Sequence, residues 1–323
     1  MKTRENVLDM LAAGEDVSGE ALAAALGVSR NAVWKAVRQL REEGYEISAA
    51  TNKGYRLVSA PDRLSAEEIS RFLTTKRIAR EIEIHETLDS TNNRAKALAS
   101  AGAPHGTAVV ADAQSGGKGR LGRTFFSPGH SGVYLSYILR PDCAPERASL
   151  LTSLAAVAAA RAIERGSDAD VKIKWVNDLY LGGRKICGIL SEAGVGMETG
   201  RLDYAVVGIG INTGKISFPP ELAEIATSIG NETGAVPDRN RLIAEISNEL
   251  ESLYGQLESG AFLEESRRRS CVIGREIMVL DGGKQYPAYA EDIDDQGRLV
   301  IRTGEGTACL GYGEVSLKLR KRG

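Results

Sequence analysis

The chain has 323 residues, 42% hydrophobic and 26% charged, with 36 Gly and 9 Pro, a globular composition long enough for two or three domains. Its most apolar stretch, Leu150 to Ile163, is shorter than the roughly 18 residues that span a bilayer, and the polar start KTREN carries no export signal, so a cytoplasmic protein without membrane contact is predicted. A net charge of -2 gives no overall pull toward nucleic acid, and four dispersed Cys with three dispersed His argue against a disulfide framework or a protein-borne metal site.

Residues 5 to 13 carry Val7, Leu8 and Leu11 at helical spacing, ended by Gly14. Ser18 can cap a second helix with Leu22, Ala25 and Leu26 on one face, and Gly27 ends it. Ser29 then caps a third helix whose Val33, Val37 and Leu40 face inward while Arg30, Asn31, Lys35 and Arg38 face out. Two helices joined by a three-residue turn, the second with a basic, amide-bearing face, match a helix-turn-helix. Two short strands, Tyr45 to Ala49 and Tyr55 to Val58, around a turn at Thr51 to Gly54, add a wing. Between Arg30 and Arg56 six basic residues, Lys53 among them, face three acidic ones, a local charge suited to DNA. The simpler alternative is a protein-binding module with a solvated charged face. Pro61 and Asp62 mark a boundary, followed by a capped helix in LSAEEISRFL.

From about 80 to 270, strand patterns (EIEIHE, TAVVADAQ, VYLSYIL, VKIKWV, KICGILSEA, DYAVVGIGIN) interleave with helices at Thr91 to Ser100, Pro145 to Arg165 and Arg239 to Glu258. Several strands follow one another directly, which favours antiparallel pairing over a doubly wound parallel sheet. From Val272 to Leu319, short alternating runs separated by DGGK, DDQG and GEG turns predict a small barrel of SH3-like size. The expected architecture is multidomain α+β: a winged helix-turn-helix over 1–62, a mixed α/β domain over 63–270 and a C-terminal SH3-like β-barrel over 271–323.

The richest stretch for chemistry is AQSGGKGRLGRTFFSP (113–128), with four glycines and Lys118, Arg120 and Arg123 inside 116–123. Such a loop can wrap an anion. It nearly fits the P-loop expression, but FFSPGHSG follows where a helix is required. GIGINTG (208–214) likewise fails as a dinucleotide fingerprint, because Thr213 stands where the third Gly belongs. Its Asn212 can serve a turn or a purine edge or ribose. KWVND (174–178) ends a strand with a cation, an amide and a carboxylate, and Lys185 enters the next apolar strand, where it must reach solvent or meet an anion. In DSTNN, Ser90 and Thr91 suit a helix cap while Asn92 and Asn93 offer amides.

DSTN (89–92), GGKGRLGR with FFSP (116–128), KWVND (174–178), RKICGIL (184–190) and GIGIN (208–212) stand in the order and spacing of biotin-protein ligases. With the front and rear modules, the whole chain resembles their bifunctional class, which also represses the biotin operon. The resemblance implies a central ligase domain acting as an ATP-dependent biotin-[acetyl-CoA-carboxylase] ligase. Biotin and ATP would be its substrates with Mg2+, a biotin carboxyl carrier protein its acceptor, and operator DNA and a ligand-promoted homodimer its regulatory partners. It implies catalytic roles for Arg120, Lys174 and Lys185. Biotin contacts would come from Ser90, Thr91, Asn92, Gln114, Lys118, Gly119, Arg120 and Lys185. Nucleotide contacts would come from Arg123, Phe125, Asn177, Asp178 and Asn212, and DNA contacts from Arg30, Asn31, Lys35 and Arg38. The family usually has Pro at Val176 and Trp at Phe125. Phe125 keeps an aromatic face but lacks the indole N–H. The rivals are a lipoate- or octanoyl-transferring enzyme, against which the basic loop and the DSTN/Gln114 pocket speak, and a repressor without ligase turnover, against which the retained Lys118, Arg120, Lys174 and Lys185 speak.

Overall fold

The computed structural model describes residues 2–12, 14–50, 54–59, 62–143, 145–195, 202–281, 283–311 and 314–317. The chain divides into two compact units, Met1–Arg63 and Leu64–Gly323.

The first unit contains α1 (Lys2–Leu11), α2 (Gly19–Leu26), α3 (Arg30–Glu42), β1 (Glu46–Ala50) and β2 (Gly54–Ser59). Ser18 and Ser29 both cap as expected, accepting from Ala21 N at 3.0 Å and Ala32 N at 3.1 Å, and Gly27 ends α2 at φ +65°. Val7, Leu8, Leu11, Leu22, Val33, Val37, Leu40 and Ile47 form the core. The inner face of α2 is the arc of Leu22, Leu26 and Ala23, whereas Ala25 is exposed just beyond the Leu22 edge of that arc. Strands β1 and β2 pair antiparallel. Tyr55 also exchanges both backbone hydrogen bonds with Val17, at 2.8 and 2.9 Å. A Cβ on Gly54 would lie 2.3 Å from Val17 O, so this approach requires glycine. The expected turn at 51–53 and the boundary residue Pro61 lie outside the described residues.

The second unit opens with α4 (Ala66–Phe72), capped by Ser65. Its sheet contains β3 (Ile82–Leu88), β4 (Ala108–Gln114), β5 (Gly132–Leu139), β6 (Lys172–Lys174), β7 (Asp178–Leu181), β8 (Arg184–Val195) and β9 (Leu202–Asn212), in the order β3-β4-β5-β9-β8-β7-β6. Only β3 and β4 are parallel, joined by α5 (Thr91–Ser100); the other neighbours are antiparallel. The predicted strand VKIKWV is shorter than expected, stopping at Lys174, and DLYL forms the separate strand β7.

Both sheet faces are covered, which explains why β5 and β9 read as nearly continuous apolar runs. On one face α5 lays Ala95 and Ala99 against Val109, Ile138 and Val206. On the other, α6 (Leu150–Arg165) and α9 (Arg239–Tyr254) pack over residues that include Tyr137, Val207 and Ile209. The expected helix from Pro145 begins as a 3-10 turn to Ser149, with α-geometry from Leu150. Helices α7 (Pro220–Ala223), α8 (Ile229–Thr233) and α10 (Phe262–Arg269) complete this part.

Five strands follow: β10 (Arg275–Asp281), β11 (Lys284–Ile293), β12 (Leu299–Thr303), β13 (Gly306–Leu310) and β14 (Glu314–Leu317). Their order β13-β12-β11-β10-β14 brings the last strand beside the first, the SH3-like arrangement read from the alternation. Trp175 Nε1 donates to Gly297 O at 3.0 Å, tying this sheet to the KWVND turn.

His105, before β4, accepts from Arg140 N through Nδ1 at 3.0 Å and lies against Tyr254, the two rings tilted by 55° with centres 5.0 Å apart. Burial, then the charge of Arg77, brings its pKa down to about 4. The fold therefore favours neutral imidazole, and this contribution is present above the ordinary value of 6.5 and fades as pH falls from there to 4. The expected loss is about 1–2 kcal/mol, discounted because the ring is half-exposed. Urea titrations of the wild type and His105→Gln between pH 7 and 4 check this: the variant should lose less stability over that range.

Candidate active site

The parallel pair sets one wall of the site. Leu88 and Gln114 are Cα partners at the ends of β3 and β4, so the start of α5 lies beside Gln114. Ser90 occupies the N-cap position of α5, yet its hydroxyl caps nothing. This departs from the capping expected of Ser90 and Thr91. Gln114 Oε1 accepts instead from Thr91 N at 2.8 Å, satisfying a helix-end donor from outside the helix. Gln114 Nε2 donates to Ser127 Oγ at 3.0 Å, and Ser127 donates to Phe125 O at 2.9 Å. Thr91 and Asn92 are buried and bonded from behind by Ser136 of β5. Ser90, Thr91, Asn92 and Gln114 thus line one small pocket, with Gly188, Leu190 and Gly208 opposite.

A side chain at Gly208 would displace this wall, since its Cβ would fall 2.0 Å from Asn92 Oδ1. Gly208→Ala is expected to cost about 1–3 kcal/mol, the usual penalty of overpacking. Chemical denaturation checks it, and an unchanged midpoint would mean that the strand yields.

The basic loop is a small hairpin. Gly119 N donates to Arg123 O at 2.7 Å and Phe125 N to Gly117 O at 2.9 Å. Leu121 at its tip has φ +55° and is 72% exposed. A Cβ on Gly117 would lie 2.5 Å from Phe125 O, so the loop closes only with glycine there. Its cations point to different neighbours. Lys118 Nζ donates to Asn93 Oδ1 at 2.7 Å, Arg120 Nη1 to Asn177 Oδ1 at 3.1 Å, and Arg123 lines the next cavity.

That second cavity, about 310 Å3, is bounded by the loop, Phe126, Lys174, Asn177, Asp178 and Asn212, with Phe218, Leu222 and Ile225 as an apolar wall. Asn177 is braced on β8, donating to Ile189 O at 3.1 Å. Lys174 Nζ donates to Tyr180 OH at 3.3 Å. Asn212 is buried; Nδ2 donates to Thr227 O at 2.9 Å and Oδ1 has no partner.

Lys185 and Phe125 stand where the cavities meet. Phe125 borders both, against Gly210, whose Cβ would lie 2.6 Å from the ring. Lys185 Nζ is 2.7 Å from Asp178 Oδ1, in a direction that forms no hydrogen bond, and 5.9 Å from the centre of the Phe125 ring. It would also lie 3.1 Å from a Cβ on Gly188, a wall of the first pocket. Lys185 therefore meets a carboxylate partner while staying partly exposed to solvent.

The structure thus gathers Ser90, Thr91, Asn92, Gln114, Lys118, Gly119, Arg120, Arg123, Phe125, Lys174, Asn177, Asp178, Lys185 and Asn212 around two adjoining cavities. Sequence reading missed Ser127, Ser136, Glu192, Lys96 and Phe218. A polar signal existed for Ser136, a lone hydroxyl in the apolar run VYLSYIL. In the first unit Arg30, Asn31, Lys35 and Arg38 are all exposed on α3, and Arg38 pairs with Glu42 at 2.9 Å. Trp34, unremarked from sequence, is 50% exposed on the same helix with Arg38 5.8 Å from its ring centre.

Comparison with known proteins matches residues 84–212 to the biotin/lipoate A/B protein ligase family, 3–56 to an HTH domain and 272–318 to the biotin protein ligase C terminal domain. The chain is 37% identical to the bifunctional ligase/repressor BirA of Bacillus subtilis (strain 168), over 97% of this chain and 98% of that protein. It is 32% identical to BirA of Escherichia coli (strain K12), over 97% and 96% respectively. The biotin protein ligase from Aquifex aeolicus in complex with biotin and ATP superposes with a TM-score of 0.63 at 27% identity, covering 74% of this chain and 99% of that one. The matches span the winged helix, the domain that carries both cavities and the C-terminal sheet, and the chain belongs to the biotin protein ligase family, in its bifunctional ligase/repressor branch.

Proposed function

We propose that the chain joins biotin to ATP, transfers the biotinyl group to a lysine of a biotin carboxyl carrier protein, and represses transcription from an operator when charged with its intermediate. The observation that carries the first step is Lys185 at the junction of the two cavities. A ligand whose head fills the first pocket and whose carboxylate reaches Lys185 has that carboxylate facing the second cavity. Bound ATP there would present its α-phosphate for in-line attack, with pyrophosphate leaving. The acceptor amine then attacks the acyl carbon of the mixed anhydride and AMP leaves. No enzyme nucleophile is required.

The residue roles follow from position. Ser90, Thr91 and Gln114 meet the ureido head, with Asn92 behind them. Lys118, Gly119 and Arg120 close over the acyl tail and phosphate. Lys185 holds the carboxylate, while Arg120, Lys174 and Arg123 offset charge gathering on phosphorus and on the leaving group. Phe125, Asn177 and Asp178 border the nucleotide, and the unpartnered Asn212 Oδ1 suits a donor such as the adenine amine or a ribose hydroxyl. Among the described residues Asp178 is the single carboxylate lining this cavity, and no three acidic, His or Cys residues lie together so as to hold a metal ion. That donor set fits Mg2+ carried mainly by phosphate oxygens, where it would neutralise their charge.

In the first unit Arg30, Asn31, Lys35 and Arg38 would enter the major groove. One such helix reads one half-site, which calls for a homodimer promoted by the adenylate. A protein that uses these substrates and binds DNA would work in the cytoplasm. No described helix is long and apolar enough to cross a membrane. The decisive experiment incubates the protein with biotin, ATP, magnesium and a biotin carboxyl carrier domain and probes with streptavidin. Labelling only when all are present is expected; no labelling would overturn the ligase reading. Octanoate transferred in preference to biotin would favour the acyl-transferring alternative.

A further inference from the structure

Behind the head pocket the hydrogen bonds run in one direction, set by a side chain outside the motifs. Asn92 Nδ2 faces two groups that can only accept, Leu190 O at 3.2 Å and Glu192 Oε2 at 2.8 Å. The amide orientation is thereby fixed, with Oδ1 turned to Ser136 Oγ at 2.7 Å. Ser136 is fully buried and has one proton, which the acceptor Asn92 Oδ1 takes. Ser136 Oγ is also 2.8 Å from Thr91 Oγ1. Having given its proton to Asn92, it can only accept there, so the Thr91 hydroxyl donates to it. The other acceptor within reach of that proton, Gln114 Oε1, is farther at 3.2 Å and already accepts from Thr91 N. The remaining lone pair of Thr91 Oγ1 therefore serves the pocket as an acceptor.

Glu192 anchors the far end. Its Oε1 receives Lys96 Nζ at 2.7 Å. Burial raises its pKa, but hydrogen bonds from Lys96 and Asn92 outweigh this and leave it below the ordinary carboxylate value.

We propose that Glu192, held by Lys96, is a specificity-determining positioning residue: it directs the relay from Thr91 through Ser136 and Asn92, so that the pocket offers an acceptor to a ureido N–H. A lipoyl or octanoyl tail carries no N–H, so the relay selects a cyclic urea over a plain acyl chain. The proposal rests on the ligase reading and deepens it by naming what sets ligand choice.

Glu192→Gln tests it through hydrogen-bond direction. With Lys96 present, the new carbonyl faces the ammonium and the NH2 faces Asn92. Asn92 then turns over to accept from that NH2, giving up its bond to Leu190 O, each downstream donor reverses, and Thr91 points a proton at the ligand. Calorimetric binding of biotin, and of biotin methylated at each ureido nitrogen, is measured with the full chain. Biotin affinity should fall about tenfold or more, preference over one of the N-methyl analogues should narrow by the same factor, and the KM for ATP should not change. Adding Lys96→Met frees the amide to turn its carbonyl to Asn92, so the double variant should recover biotin affinity. Equal losses for biotin and both methylated forms, or a double variant weaker than the single one, would overturn the relay. Wild-type protein that fails to bind biotin would instead defeat the ligase reading.

Discussion

Lys185→Ala is expected to slow adenylate formation about 10²–10³-fold, the scale observed when one preorganised electrostatic group is removed from a reacting centre. Two effects act together. The biotin carboxylate loses a charged hydrogen bond of about 1.5–3 kcal/mol, which weakens binding even without ATP. Asp178 loses the ammonium that lies 2.7 Å away, and its carboxylate then repels the phosphates entering the same cavity. Lys185→Arg should retain more activity than alanine, although the planar guanidinium cannot occupy the ammonium's place beside Gly188. Calorimetry with biotin alone and single-turnover pyrophosphate release separate the two effects. Biotin affinity and release rate both at wild-type levels in the alanine variant would remove Lys185 from the reaction.

A chain reduced to residues 64–323 is expected to lose operator binding, by at least about 100-fold, while its carrier biotinylation stays within about twofold of the whole chain. Each unit has its own hydrophobic core. Val7, Leu22, Val33, Val37 and Leu40 close a cluster entirely inside the first unit, and the residues that line the two cavities all lie beyond residue 63. The cationic face of α3 leaves with the first unit, and with it the phosphate contacts that supply most DNA affinity. In the whole chain, biotin and ATP together should strengthen the gel shift if, as proposed, the adenylate promotes a homodimer that binds DNA, by its differential affinity for that state. Arg38→Ala should weaken the shift and flatten its salt dependence while leaving ligation intact. A shortened chain that still shifts DNA, or a whole chain whose shift ignores both ligands, would contradict this arrangement.

Much of the site was legible because its chemistry demands local patterns. A loop that must wrap an anion needs adjacent glycines and cations, and 116–123 supplies both within eight residues. Gly208 and Gly210 stood out in the sequence within a failed dinucleotide fingerprint, and their purpose lies in the fold. They leave room for Asn92 Oδ1 and the Phe125 ring, which arrive from segments about 116 and 85 positions away. Ser90 illustrates the opposite error. Local rules made it a capping hydroxyl, and the cap was taken over by Gln114 from the neighbouring strand.

By itself the sequence determined what short-range physics controls: capped helices ended by glycine, strands built from apolar runs, turns placed between them, and the order of the three modules. It also determined which residue types were available for chemistry, because five short motifs carried nearly all of them. Tertiary structure decided their partners. Sheet register brought Gln114 to Thr91, fixed Ser136 behind both Thr91 and Asn92, and set Lys185 between the two cavities. Those pairings depend on which strands are neighbours, and neighbours in the order β3-β4-β5-β9-β8-β7-β6 are selected by burying both faces of the sheet at once. A buried polar group must find its hydrogen-bond partner wherever that packing puts one, so the direction of the relay from Thr91 to Glu192 exists only in the folded chain.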